Sequence, residues 1–162
     1  MPRYARILSL LLTAKLTLPL FAALPELSSI EPLEFDEIAQ RLVARGDARL
    51  DFGDARIGAD RITYYQEYSL ADALGNVTIT QDGYRLVADR LTFDAKNNTF
   101  AVDILRTGQW PFYLSAATAG GTTQTSTIEG ATLYYGAPSP FSLSMNSDLI
   151  EYSDEGSGSL KM

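Results

Sequence analysis

The 162-residue chain contains no cysteine and no histidine. Without cysteine there are no disulfides, no thiolate metal sites and no sulfur nucleophile, and the chain can still enter an oxidising compartment. Without histidine the Ser-His-Asp and Cys-His catalytic arrangements and the usual zinc sites are excluded. So is the one side chain that titrates near neutrality in its unperturbed state. Carboxylate chemistry remains, but no paired acidic constellation stands out, so the polysaccharide-hydrolase reading of a β-rich chain is weak and the sequence predicts no enzyme. Nothing in it calls for a cofactor or a bound metal.

Basic residues are also scarce, with 13 Lys and Arg against 20 Asp and Glu for a net charge of −7. Three of the basic residues, Arg3, Arg6 and Lys15, fall in an N-terminal segment that reads as a secretory signal. Its positive start is followed by the mostly apolar run Ile7 to Leu24, with Phe21-Ala22-Ala23 between Pro19 and Pro25. Lys15 and Pro19 break the run short of the roughly 20 apolar residues that a spanning helix needs. Residues 1–25 are therefore expected to be a signal peptide, and the remainder is more acidic still. Such a chain repels nucleic acid, and a lipid partner would be held by apolar contact and not by charge.

What is abundant is short, alternating apolar stretches, built on a 29-residue repeat. Ala59-Asp60-Arg61-Ile62-Thr63 returns as Ala88-Asp89-Arg90-Leu91-Thr92, and the same offset aligns Leu33-Glu34-Phe35-Asp36 with Ile62-Thr63-Tyr64-Tyr65 and Leu91-Thr92-Phe93-Asp94, and Gly46-Asp47-Ala48 with Gly75-Asn76-Val77. Repeats of this length stack supersecondary units that cannot bury an apolar face alone. Within a unit the period is two, which predicts strands with one buried face. The inward set is Ile57, Ile62, Tyr64, Val77, Ile79, Leu86, Leu91, Phe93, Phe100 and Val102. Three steps separate Ala59 from Ile62, and Ala88 from Leu91, so a bulge or corner is expected at each Asp-Arg. Gln81-Asp82-Gly83 and Ala95-Lys96-Asn97-Asn98 read as turns. The repeat register makes residues 37–44 β, although Ile38 and Leu42 are spaced as on a helix.

After Leu105 the register is lost. Gln109 to Leu114 reads as an aromatic strand interrupted by Pro111, Ala119 to Thr127 as a polar loop or exposed edge, and Ala131 to Tyr135 as one more copy of the repeated element. Phe141 to Met145 and Leu149 to Tyr152 suggest two further strands. The segment 156–162 turns apolar again and is expected to be a linker or a truncated continuation. One all-β domain over about residues 30–155 is the organisation predicted.

The order and spacing of Gly75-Asn76-Val77-Thr78-Ile79 and Tyr84 to Asp94 resemble the OstA-like domain of lipopolysaccharide-transport proteins. That family includes the bridge protein LptA and the N-terminal periplasmic domain of LptD. The resemblance implies a twisted β-jellyroll, open at its ends, in the periplasm, with association with the outer membrane as a further expectation. Its apolar interior would hold the lipid A acyl chains of lipopolysaccharide, with other OstA-like jellyroll domains stacked end to end. On that reading the ten inward residues are expected to form a lipid groove. The alternative is a self-associating β-repeat scaffold with a filled interior and no ligand.

Overall fold

The computed structural model describes residues 25–52, 55–81, 84–97, 99–122, 125–153 and 158–161. The expected signal segment lies outside them, apart from Pro25, as does the turn Asp82-Gly83. Eleven strands form one sheet: β1 (Glu26–Ser28), β2 (Glu34–Asp36), β3 (Arg41–Phe52), β4 (Ala55–Tyr65), β5 (Leu70–Gln81), β6 (Tyr84–Asp94), β7 (Thr99–Gln109), β8 (Phe112–Thr122), β9 (Thr125–Tyr135), β10 (Leu143–Ser153) and β11 (Gly158–Lys161). From β3 to β11 each strand pairs antiparallel with the next in sequence. The short β1 and β2 lie one after the other along the free side of β3.

The expected corner is present across β3 to β6. Pairing between β3 and β4 slips between Arg45 and Ala48, between β4 and β5 from Gly58 to Arg61, and between β5 and β6 from Leu74 to Val77. Asp60 and Asp89 sit in these gaps, where the sequence parity breaks. Gly46 and Asp47 have φ of +70° and +52°, and their repeat equivalents Gly75 and Asn76 have +77° and +47°, so the two copies make the same backbone move. Gly130 carries the bend into β9 with φ +59°. A positive φ is open to glycine and tolerated by Asn and Asp, which explains the residue types at these sites.

The corner folds the sheet over on itself. Phe52, near one end of the strands, meets Phe93, near the other, edge to face with ring centroids 5.7 Å apart. Between the two halves lies a single apolar core, whose cross-strand rows follow from the register. One row runs Ala44, Ile62, Ala73, Leu91, Val102, Ala119, Ile128, Ile150, and another on the opposite half runs Leu50, Ile57, Ile79, Leu86. Such pairs across antiparallel strands are the unit of sheet stabilisation.

Several expectations for the second half need correction. The meander does not stop at Leu105. Residues 109–114 are not one strand, because Trp110-Pro111, joined by a cis peptide bond, is the turn between β7 and β8. Proline cannot donate to a ladder and suits that position. Ala119 to Thr127 is not a loop: it supplies the end of β8 and the start of β9, with Ala119 and Ile128 buried between them. The two strands expected at 141–145 and 149–152 are one, β10, with Phe141 in the loop before it. Residues 37–44 are a turn followed by the start of β3, so the helix reading fails and the β reading holds from Arg41 onwards.

Asp36 and Asp94, equivalent in the repeat, do the same work. The Asp36 carboxylate accepts from the backbone N–H of Ile38 and Ala39, at 3.2 and 3.0 Å, and that of Asp94 from Lys96 and Asn97, at 2.9 and 3.0 Å. These bonds favour the ionised form and hold both carboxyls below their ordinary range. For Asp36 the leading cause is the Ala39 N–H, and for Asp94 it is the Asn97 N–H. A depressed folded-state value means a contribution present above the unfolded pKa and lost as pH falls through the folded one. Asp94→Asn keeps an acceptor for the turn but cannot titrate. Its urea midpoint is expected to match wild type near neutrality and to fall less on acidification.

Candidate functional site

The candidate site is the inner face of the folded sheet. All ten sequence-predicted groove residues lie on it. Ile57, Ile62, Val77, Ile79, Leu91, Phe93 and Val102 are at most 4% exposed and pack together, while Tyr64, Leu86 and Phe100 are half-buried against them. Across β3 to β7 the two halves therefore meet as a filled core.

The inner face changes character from β8 onwards. Its inward positions shrink to Ala116, Ala119 and Gly121 on β8, and to Ser126 and Ala131 on either side of the buried Ile128 on β9, with Ala131 facing Ser147 of β10. Farther along the same face, Phe112 pairs with Tyr135 and Tyr135 with Leu143, while Leu114 pairs with Leu133 and Leu133 with Met145. Tyr135, Leu143 and Met145 are on the side of the sheet that is buried elsewhere, yet all three are exposed, Leu143 by 76%. Exposed large apolar side chains thus continue an inner face whose other positions on β8 and β9, Ile128 apart, are small. Sequence reasoning missed this region because Ala, Gly and Ser at inward positions hide the alternation.

The outer face carries the charges. The Asp-Arg pairs of the repeat do not pair within themselves. Arg90 donates to both Asp72 carboxylate oxygens across the strands, at 2.9 and 3.2 Å, Arg106 donates to Asp89 at 3.1 Å, and Asp60 accepts from Asn76 at 2.9 Å. These exposed contacts contribute little each. Among the described residues no cluster of three or more acidic side chains could hold a metal ion.

The class defined by this geometry is an open-ended β-jellyroll, a bent antiparallel meander closed over an apolar interior, whose marginal strands have no further partner among the described residues. Within that class the chain has an LptA-like fold. It is similar to LptH of Pseudomonas aeruginosa, described as the LptA homologous periplasmic component of the conserved lipopolysaccharide transport device. The TM-score is 0.54 at 14% identity, over 75% of this chain and 94% of that one. No protein-family model matches the sequence, and no curated protein matches it.

Proposed function

We propose that this chain is a non-enzymatic carrier domain that shelters the acyl chains of lipopolysaccharide in the periplasm, on their way to the outer membrane. The observation that carries the reading is the continuation of the apolar inner face beyond the packed core onto β8, β9 and β10, where Tyr135, Leu143 and Met145 stand exposed. An acyl chain laid there is transferred from water at about 0.8 kcal/mol per buried methylene. The packed groove residues, Ile62 and Phe93 among them, form the wall against which the open part is built. The LptA-like fold supports the same assignment, as does the signal-like N-terminus.

The finer partners follow from the same reading. The outer sides of β1 and β2, and of β11, pair with no strand among the described residues, and such edges suit end-to-end addition of another jellyroll domain. The domain, over about residues 30–155, acts either as a free bridge or as the front of an LptD-like assembly protein.

The test is lipid recovered with the protein. Wild-type protein isolated from cells that make lipopolysaccharide is expected to carry lipid A detectable by mass spectrometry. Leu143→Glu and Met145→Glu are expected to lose most of it while keeping wild-type thermal stability, because exposed positions tolerate substitution within about 0.5 kcal/mol. An empty wild type, or variants that retain the lipid, would favour the ligand-free scaffold.

A further inference from the structure

From Thr107 to Ser147 the sequence contains one charged residue, Glu129, in a chain that is 20% charged overall. The strands turn this stretch into one continuous surface. Antiparallel pairing places the β7–β8 turn and the β9–β10 loop at the same end of the sheet, and the Gly136 N–H donates to the Pro111 carbonyl at 2.8 Å, tying the two tips together.

Each tip presents an aromatic side chain to solvent. Trp110 is 70% exposed and Phe141 is 97% exposed. The exposure of Phe141 is built in by a network of serines. The Ser142 hydroxyl donates to the Ala137 carbonyl at 2.6 Å and lies 2.9 Å from the Ser139 hydroxyl, which accepts from the Phe141 N–H at 3.3 Å. Pro138 and Pro140 stiffen the same loop. Behind the tips, Tyr113 and Tyr134 are register partners on one face of the sheet.

We propose that these two tips dock the protein on the surface of an uncharged or zwitterionic phospholipid bilayer, with Trp110 and Phe141 at headgroup depth and the tyrosines forming an interfacial belt. Two observations select a bilayer over a protein partner. Tryptophan and tyrosine sit favourably where apolar and wet layers meet, and here they flank the tips in that order. Entry requires no charge to leave water, because neither tip contains one. The opposite end of the strands shows the contrast. Its turns before β3, β5 and β7 carry Asp36, Glu37, Glu67, Asp94 and Lys96, and Ile38 in the first of them is 99% exposed. The proposal does not depend on what the interior carries.

Trp110 is the chain's single tryptophan, so its emission reports on the tip alone. The full chain is titrated with phosphatidylcholine vesicles free of lipopolysaccharide, and emission wavelength and quenching by lipids brominated on the acyl chain are followed. A blue shift with quenching is expected, along with a roughly tenfold or greater loss of the vesicle response in Phe141→Asp and none in Ile38→Asp. The proposal is overturned by an unshifted spectrum, by equal loss in both variants, or by an undiminished response in Phe141→Asp. It is overturned equally by the same shift with monomeric short-chain phosphatidylcholine, which would make the tip a reader of single lipids. A shift that appears without vesicles as protein concentration rises would make it a contact between copies.

Discussion

Replacing Phe93 with alanine is expected to lower the stability of the domain by about 3–5 kcal/mol, the range for truncating a buried aromatic. Phe93 is 3% exposed and lies in the row with Tyr64, Ala71 and Phe100, but its ring also reaches across the interior to Phe52. It therefore ties together two halves of the sheet that are otherwise joined through the corner. The truncation loses burial area, leaves a void that the bent backbone resists closing, and removes an edge-to-face contact of about 0.5–1.5 kcal/mol. A urea titration would show the midpoint falling well below wild type. A loss under about 1 kcal/mol would mean that the halves are not packed against each other here.

Gly121→Val is expected to be comparably damaging, by about 2–5 kcal/mol, for a backbone reason. Gly121 has φ +148°, and a Cβ placed there would meet the Thr125 carbonyl oxygen and come within 2.7 Å of the Ser126 Cα. Those atoms belong to the facing strand beside the β8–β9 turn, so no side-chain rotation relieves the clash. Gly136 provides the control. Its φ is +86° but nothing lies within 4 Å of the added atom, so Gly136→Ala should cost only the left-handed penalty of about 1–2 kcal/mol. Thermal denaturation of the two variants side by side checks the ordering.

The first half of the fold was legible because its inward positions are large. Ile62, Leu91 and Val102 announce the buried face, and a three-step gap beside Asp60 or Asp89 can only be reconciled with that face by a corner. The second half obeys the same architecture with different residues. Ala116, Ala119, Gly121 and Ser126 sit inward without adding hydrophobic contrast, and Thr118 and Thr127 between them are as small, so period two disappears from the sequence while it persists in the backbone. Trp110 and Pro111 were ambiguous for another reason: aromatics favour strands, and only the flanking pairs Gln109–Phe112 and Gly108–Tyr113 reveal a turn. The candidate groove was legible as a face but not in its division into filled and open parts. That division depends on side-chain volume across neighbouring strands, which register alone makes visible. The near absence of charge between Thr107 and Ser147 was the available signal for the open end.

Pairing of each long strand with its sequence neighbours has a consequence for how the molecule can grow and assemble. Strand order along the sheet repeats strand order along the chain, so folding can zip outward from any hairpin with little loop entropy to overcome. The corner is renewed from β3 to β6 and needs no distant partner, so two more strands of the same 29-residue design would lengthen the folded sheet without altering its cross-section. Length and cross-section are independent variables in this architecture, the first set by the number of repeats and the second by the residues chosen for each rung.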